Sequence, residues 1–325
     1  MRIFALQGSG ELGAAVAASL SCMIDPHEER DFEDGEHKSR PLVSVRGEEV
    51  FVIASLAGSA EATANDRLVK LLFFLATCRE NGAAQVTAVV PYLAYARKDR
   101  QTKRRDPVTT RYVAQLFEAV GTDRVITLDV HNVAAFQNAF RCRTVHLEAR
   151  PLFVPRIRAL AGDLPVTVLS PDGGGVKRAE LLRERYEAAT ATAARFAFME
   201  KRRSRGVVSG ELFAGEVAGT AVFVVDDMIG TGGTMRRAAQ ACRARGARAV
   251  FAVATHGLFG PGSEDMLADP AIDRLLVTDS VPMAAAVARR LEGRGEIIPV
   301  APLIAEAIHR LHTGSPLGDA TSLED

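Results

Sequence analysis

The chain has 325 residues, enough for two medium domains or one large one, and its 47% hydrophobic and 25% charged composition is that of an ordinary globular enzyme. Forty basic side chains balance forty acidic ones, so no net field draws it to nucleic acid or to a membrane surface. Gln7, Ser9 and Glu11 break the apolar N-terminal run, and no apolar stretch is long enough to span a bilayer. Cys22, Cys78, Cys142 and Cys242 are widely spaced, which reads as reduced thiols in a soluble, cytoplasmic protein.

An apolar strand, Ile3–Leu6, runs into Gly8, Gly10 and Gly13, the G-x-G-x-x-G spacing of a dinucleotide turn, and then into an Ala-rich helix. Val50–Ser55 reads as a buried strand. Leu68, Leu71, Leu72 and Leu75 then mark one helix face closed by Gly82. Strand Val86–Pro91 is followed by a helix from Pro107, strand Arg124–Val130, a short helix and strand Thr144–Leu147. The second half repeats this rhythm: strand Val166–Ser170, a helix to Arg185, strand Ala221–Asp226, a helix to Arg245, and strands Ala249–Thr255 and Leu275–Thr278. Such alternation predicts an α/β fold of mostly parallel sheets flanked by helices. Pro151 and Pro155 place a domain boundary within 148–155, giving domains 1–149 and 150–325, with the last helix packing back on the first. NGAAQVTAVVPY resembles RGARAVFAVATH, and TDRVITLDV resembles IDRLLVTDS. Either the halves are related, or any buried strand after a helix looks alike.

The strongest chemical signal is VFVVDDMIGTGGTM at 222–235. Four apolar residues deliver Asp226 and Asp227 to a strand's carboxyl end, where open α/β sheets bind ligands. Thr231, Gly232, Gly233 and Thr234 then lead into a helix whose amides and dipole suit a phosphate. Carboxylates beside a phosphate cradle repel it unless they serve sugar hydroxyls or a divalent cation. Six basic residues in ARKDRQTKRRDP surround a second strand end. Arg97 is the candidate there for polyphosphate, which guanidinium grips bidentately. Without tryptophan or interleaved aromatics this is not a nucleic-acid patch.

VFVVDDMIGTGGTM resembles the ribose-phosphate loop of type I phosphoribosyltransferases and phosphoribosyl-pyrophosphate synthetases. FEDGE at 32–36, SVRGEEVFVI at 44–53, VVPYLAYARKDRQTKRRDPVTTR at 89–111 and DVHNVAAFQNAF at 129–140 resemble the synthetase pattern. So do SPDGGGVKRA at 170–179, EKRR at 200–203, THGLFGPG at 255–262 and APLIAEAIHRLH at 301–312. On these motifs the chain is identified as a member of the synthetase (ribose-phosphate pyrophosphokinase) family.

The resemblance implies two related type I phosphoribosyltransferase-like domains, with ATP and ribose 5-phosphate as substrates and Mg²⁺ as cofactor. It implies ATP contacts at Phe32, Asp34, Glu36, Arg97, Lys98, Asp99 and His131, and metal contacts at His131 and Asp172. Ribose 5-phosphate contacts fall on Asp172, Asp226, Asp227, Gly230, Thr231, Gly232, Gly233 and Thr234. Lys201 and Arg203, in a flexible loop over 200–212, and His131 are the implied catalytic residues. The Phe32 hairpin is expected to reach a neighbouring active site, which calls for a homo-oligomer, a dimer or a hexamer. The family has glutamine where Lys98 stands and commonly aspartate where Gly230 stands. In this family the G-x-G-x-x-G turn carries no cofactor. Rival readings are a phosphoribosyltransferase that consumes the product and a non-catalytic regulatory member.

Overall fold

A computed structural model describes residues 1–204 and 207–318, with the side chains of 201–211 outside the description. The chain forms two compact units. One holds Met1–Glu148 with Ser280–Pro282 and the chain from Pro299 onward, and the other holds Ala149–Asp279 with Met283–Ile298.

The first unit is built on β1 (Arg2–Ala5), α1 (Gly10–Ser19), the hairpin β2 (His27–Asp31) and β3 (His37–Pro41), then β4 (Glu49–Ile53) and α2 (Ala64–Glu80). There follow β5 (Gln85–Val90), α3 (Thr109–Ala119), β6 (Arg124–Leu128), α4 (Val133–Ala139) and β7 (Arg143–Leu147). Its sheet runs β1-β4-β5-β6-β7, every pair parallel. Parallel strands are buried on both faces, hence their continuous apolar runs. Val50, Val52, Val86 and Val125 pack with the Leu68, Leu71, Leu72 and Leu75 stripe of α2, while Phe51, Ile53 and Ile126 between them are equally buried.

The second unit holds α5 (Arg150–Ala161), β8 (Val166–Ser170), a 3₁₀ turn at Gly173–Gly175, α6 (Val176–Thr190), β9 (Arg195–Ser204) and β10 (Val207–Ala214). It continues with β11 (Ala221–Ile229), α7 (Gly233–Ala244), β12 (Ala249–Gly257), α8 (Glu264–Leu267), β13 (Arg274–Thr278), α9 (Ala285–Leu291) and β14 (Gly295–Ile298). Its order is β10-β9-β8-β11-β12-β13-β14, parallel except for the β9–β10 pair. The last helix, α10 (Ala301–Thr313), belongs to the first unit, where it packs on α1 and His312 Nδ1 pairs with Glu49 Oε2 at 2.8 Å.

The two sequence echoes correspond to repeated bonding. Asp123 Oδ2 accepts the Val86 amide at 2.7 Å and pairs with Arg79; Asp273 Oδ2 accepts the Val250 amide at 2.7 Å and pairs with Arg243. Arg79 also donates to the Gly121 and Ala83 carbonyls, and Arg243 to those of Ala271 and Ala247. The Ala83 amide closes on Cys78 and the Ala247 amide on Cys242, each at 3.1 Å. Both thiols are fully buried, and burial pushes each up to about 12. Chance resemblance between buried strands would not reproduce this set of partners. The halves share one plan.

Several local expectations need correction. Pro151 and Pro155 do not interrupt regular structure: Pro151 sits in the first turn of α5 and Pro155 inside it. The missing amide at Pro155 would have bonded only to the Pro151 carbonyl, and buried Phe153, Val154 and Ile157 hold the helix in place. Pro107 precedes its helix, which starts at Thr109. Residues 200–204 and 207–212, expected in a loop, lie in β9 and β10. Ser280–Pro282 and the segment from Pro299, which carries the last helix, return to the first unit; Ser55 Oγ, for example, donates to the Ser280 carbonyl at 2.7 Å. No helix among the described residues is long and apolar enough to cross a membrane.

The G-x-G-x-x-G turn has a packing explanation. A Cβ at Gly13 would lie 2.2 Å from the Ala5 Cβ, so glycine lets α1 close onto β1. The Arg67 guanidinium from α2 occupies the space over Gly8 and donates to the Gln7 carbonyl at 3.4 Å.

Candidate functional site

The second unit gathers most of the residues singled out for the sugar phosphate. Its strand β8 ends at Ser170, where β11 loses its partner on that side: the last pair is Val224 with Leu169. β11 continues beside β12 as far as Ile229, so Asp226 and Asp227 project from a strand with one open flank rather than from a strand terminus. Asp227 is buried and Asp226 half-buried. Burial and the neighbouring Asp227 push the Asp226 carboxyl up to about 8, against the pull of Arg178. Arg178 Nη1 lies 3.2 Å from Asp226 Oδ1 and 3.5 Å from Asp227 Oδ1.

A pH dependence follows. A carboxyl raised in the folded chain binds its proton more tightly there than when unfolded, so its stabilising contribution is present below its ordinary value and lost as pH climbs towards about 8. Asp226→Asn, neutral throughout, is expected to raise the melting temperature clearly more at about pH 9 than at about pH 5, because the loss begins above the ordinary carboxyl value and completes at about 8. Thermal melts at the two pH values check this; equal shifts at both would contradict it.

The loop after β11 builds the cradle. Gly232 has φ +73°, and a Cβ there would sit 2.7 Å from the Met266 Cβ, so only glycine serves. α7 starts without a side-chain cap and without an acid in its first turn. Its counterpart α2 starts differently: Thr63 accepts the Asp66 amide while the Asp66 carboxylate accepts the Thr63 amide. In the first unit a carboxylate of the chain itself occupies the helix N-terminus. In the second, Gly232 stands at the N-cap position and no carboxylate lies in the first turn of α7. A Cβ at Gly230 would meet nothing within 4 Å, so an aspartate would have room there.

The turn after β8 adds Asp172, whose Oδ1 accepts the Gly174 and Gly175 amides at 2.9 and 3.0 Å. Two basic residues beyond the predicted set join the site. Arg178 is one, and Arg237 is the other: its Nη1 would be 3.7 Å from a Cβ on Gly233, and its Nη2 is 3.4 Å from Thr234 Oγ1. The signals were Arg178 three residues past Gly175, and Arg237 three past Thr234, one helical turn in each case.

The first unit collects part of the nucleotide set. His131 is exposed just beyond β6. Its neighbour Asn132 caps α4 and donates Nδ2 to Asp99 Oδ2 at 2.6 Å, holding the 97–99 segment beside it. Arg97 is exposed. Lys98 turns into its own loop, with Nζ 2.8 Å from Asp106 Oδ2. Hydrogen bonds from Lys98, Thr102 and the Lys103 amide hold the Asp106 carboxyl well below the usual carboxylate range. Phe32, Asp34 and Glu36 form the exposed tip of the β2–β3 hairpin. The Phe32 amide donates to the Glu36 carbonyl at 2.8 Å, and the Arg30 guanidinium lies over the Phe32 ring. The hairpin stands on α2 through the Lys70–Asp31 ion pair and a His37–Phe73 stack. Lys201 and Arg203 lie on the paired backbone of β9, with side chains outside the described residues.

The model of the N-terminal domain of ribose phosphate pyrophosphokinase matches residues 1–121, and that of the phosphoribosyl synthetase-associated domain matches 205–320. A ribose-phosphate pyrophosphokinase of Caldanaerobacter subterraneus subsp. tengcongensis is 36% identical over 97% of this chain and 95% of its own length. The chain belongs to the ribose-phosphate pyrophosphokinase family. A second relative of that name, from Vibrio parahaemolyticus, is 35% identical over 96% of each chain. The crystal structure of phosphoribosylpyrophosphate synthetase from Mycobacterium smegmatis superposes with a TM-score of 0.86 at 30% identity, covering 97% of this chain and 99% of that one. The fold expected of the pyrophosphokinase family, mostly parallel sheets flanked by helices, is the fold observed.

Proposed function

We infer that this chain is a ribose-phosphate diphosphokinase, which moves the β,γ-diphosphoryl group of ATP to the anomeric hydroxyl of ribose 5-phosphate. The observation that carries this reading is the uncapped start of α7 beside the Asp226–Asp227 pair, in a chain that matches the pyrophosphokinases along nearly its whole length. The hydroxyl oxygen attacks the β-phosphorus and loses its proton. The bond from that phosphorus to the α,β-bridging oxygen breaks, and AMP leaves with the oxygen. Such transfer needs positioning and charge neutralisation more than covalent help.

The roles follow from the chemistry of each group. The amides and hydroxyls of Gly230 to Thr234 hold the 5-phosphate, and Asp226 and Asp227 accept bonds from the ribose hydroxyls. Arg97, Lys98, Asp99 and His131 serve the ATP polyphosphate, and Lys201 and Arg203 the charge that builds during transfer. Among the described residues no three His, Cys, Asp or Glu side chains form a metal cluster. Mg²⁺ keeps substrate phosphates and waters as ligands and needs few carboxylates from the protein. Asp172 supplies an oxygen donor, with Oδ1 committed to the two glycine amides, and His131 a contact on the nucleotide side. Mg²⁺ bound with ATP would neutralise charge on the β- and γ-phosphates.

Phe32, 40% exposed at a hairpin tip, suits stacking on an adenine supplied by a second copy of the chain in a cytoplasmic homo-oligomer, a dimer or a hexamer. Phe32→Ala is expected to raise the KM for ATP about tenfold while the KM for ribose 5-phosphate stays put, the scale of one lost base–aromatic stack. Steady-state kinetics check it, and full activity in a monomeric form would overturn the shared site. The reading as a whole is tested by product analysis. AMP should form in step with ribose 5-phosphate consumption and only with Mg²⁺ present. ADP as product, or turnover only with a nucleobase and phosphoribosyl pyrophosphate, would refute it.

A further inference from the structure

We propose that Arg178 is the positioning residue of the ribose site: from the first turn of α6 its guanidinium spans Asp226 and Asp227 and fixes both carboxyl groups in place as partners for two sugar hydroxyls. The proposal rests on the assignment of this aspartate pair to ribose.

The geometry is specific. One nitrogen, Nη1, approaches Oδ1 of both carboxylates, at 3.2 and 3.5 Å. The same nitrogen would be 3.6 Å from a Cβ on Gly175, so the guanidinium joins the turn after β8 to the open flank of β11. Asp226 Oδ1 also accepts the Asp227 amide at 2.9 Å, which fixes the carboxylate plane. Two adjacent carboxylates out of bulk water repel each other, and a cation placed between them offsets part of that repulsion. Among the elements packed against β11, the 3₁₀ turn follows Asp172, α7 carries Arg236 and Arg237, β12 carries His256, and β8 carries no titratable side chain. Arg236 is engaged with Asp265 and Asp269, and Arg237 reaches Thr234. Arg178 Nη1 reaches both carboxylates of the pair.

Arg178→Gln keeps much of the side chain's length and removes the charge. It is expected to raise the KM for ribose 5-phosphate about ten- to a hundredfold at neutral pH, the scale of a lost hydrogen bond to a charged group. The KM for ATP should stay within about twofold and kcat within about threefold, because the interaction holds bound sugar rather than the transition state. Arg178→Lys should recover most of the loss by restoring a cation at that point. A purely structural clamp predicts otherwise: kcat and both KM values would worsen together, and lysine would do no better than glutamine. Either of those results overturns the proposal. If the glutamine variant does not fold, the lysine variant decides, a KM within about fivefold of wild type supporting the proposal and a larger rise overturning it. Asp227→Asn run in parallel separates the two levels. If it leaves the KM for ribose 5-phosphate unchanged, the ribose assignment itself has failed; if it raises that KM and Arg178→Gln does not, only the role of Arg178 has failed.

Discussion

Asp227→Asn is expected to raise the KM for ribose 5-phosphate by about a hundredfold, while the KM for ATP moves by no more than about threefold. Asp227 is only 2% exposed, on a strand whose flank is open where β8 has ended. A carboxylate kept there, next to a second one, has no packing rationale. Paired carboxylates out of bulk water cost stability, and a hydrophobic residue at this depth would not. What the arrangement provides is two acceptors facing a ligand that brings hydroxyls. Asparagine has the same shape but no charge, so it loses the charge-assisted bond and places a donor nitrogen where an acceptor stood. Initial-rate measurements varying each substrate in turn separate the two KM values. A variant with an unchanged KM for ribose 5-phosphate would remove the pair from the sugar site.

Lys201→Ala is expected to lower kcat by about 10² to 10³, the scale of one lost preorganised charge-stabilising donor, with little change in either KM. The backbone gives a reason for a basic pair at this place. β9 pairs with β8 only as far as Phe198, opposite Ser170, and beyond that point its partner is β10 alone. Lys201 and Arg203 therefore ride on a two-stranded ribbon that continues past the sheet, with a register shift between Val208 and Gly210. Two strands without a third are marginal in water, so such a ribbon can take its final position when substrates supply the contacts. Charge delivered that way neutralises the diphosphoryl group as it transfers. Arg203→Ala should act in the same direction. The double variant should lose less than the two effects combined, because both groups act on one transition state. Normal kcat in Lys201→Ala would end this account of the ribbon.

The parts of the fold legible in the sequence were those set by local pattern. Strand Val166–Ser170 has the same limits in sequence and structure, and the Leu68–Leu75 stripe faces the core it was expected to face. Proline misled, because its cost depends on which carbonyl loses a partner: at Pro155 that is one bond inside a well-packed helix. The return of Ser280–Pro282 to the first unit is a long-range packing choice and leaves no local mark. At the candidate site, the paired aspartates and glycine cradle were visible because glycine and acid patterns are local. Arg178 and Arg237 were not, since an arginine one turn into a helix reads as a solvated side chain until the strand opposite is known. The bond of the Lys98 ammonium to Asp106 within its own loop was likewise not legible, because a basic run does not show which side chains pair locally. Asp66 and the open start of α7 mattered only as a pair, because the repeated plan turns the filled helix terminus into a reference for the unfilled one.

The central claim is that the uncapped start of α7 holds a sugar phosphate against the Asp226–Asp227 pair. A crystal structure of the protein with ribose 5-phosphate tests it most directly. The account predicts phosphate oxygens at about 3 Å from the amides between Thr231 and Thr234, with the ribose hydroxyls at similar distances from the Asp226 and Asp227 carboxylates. A ribose 5-phosphate molecule bound elsewhere, with the start of α7 left to solvent, would contradict it.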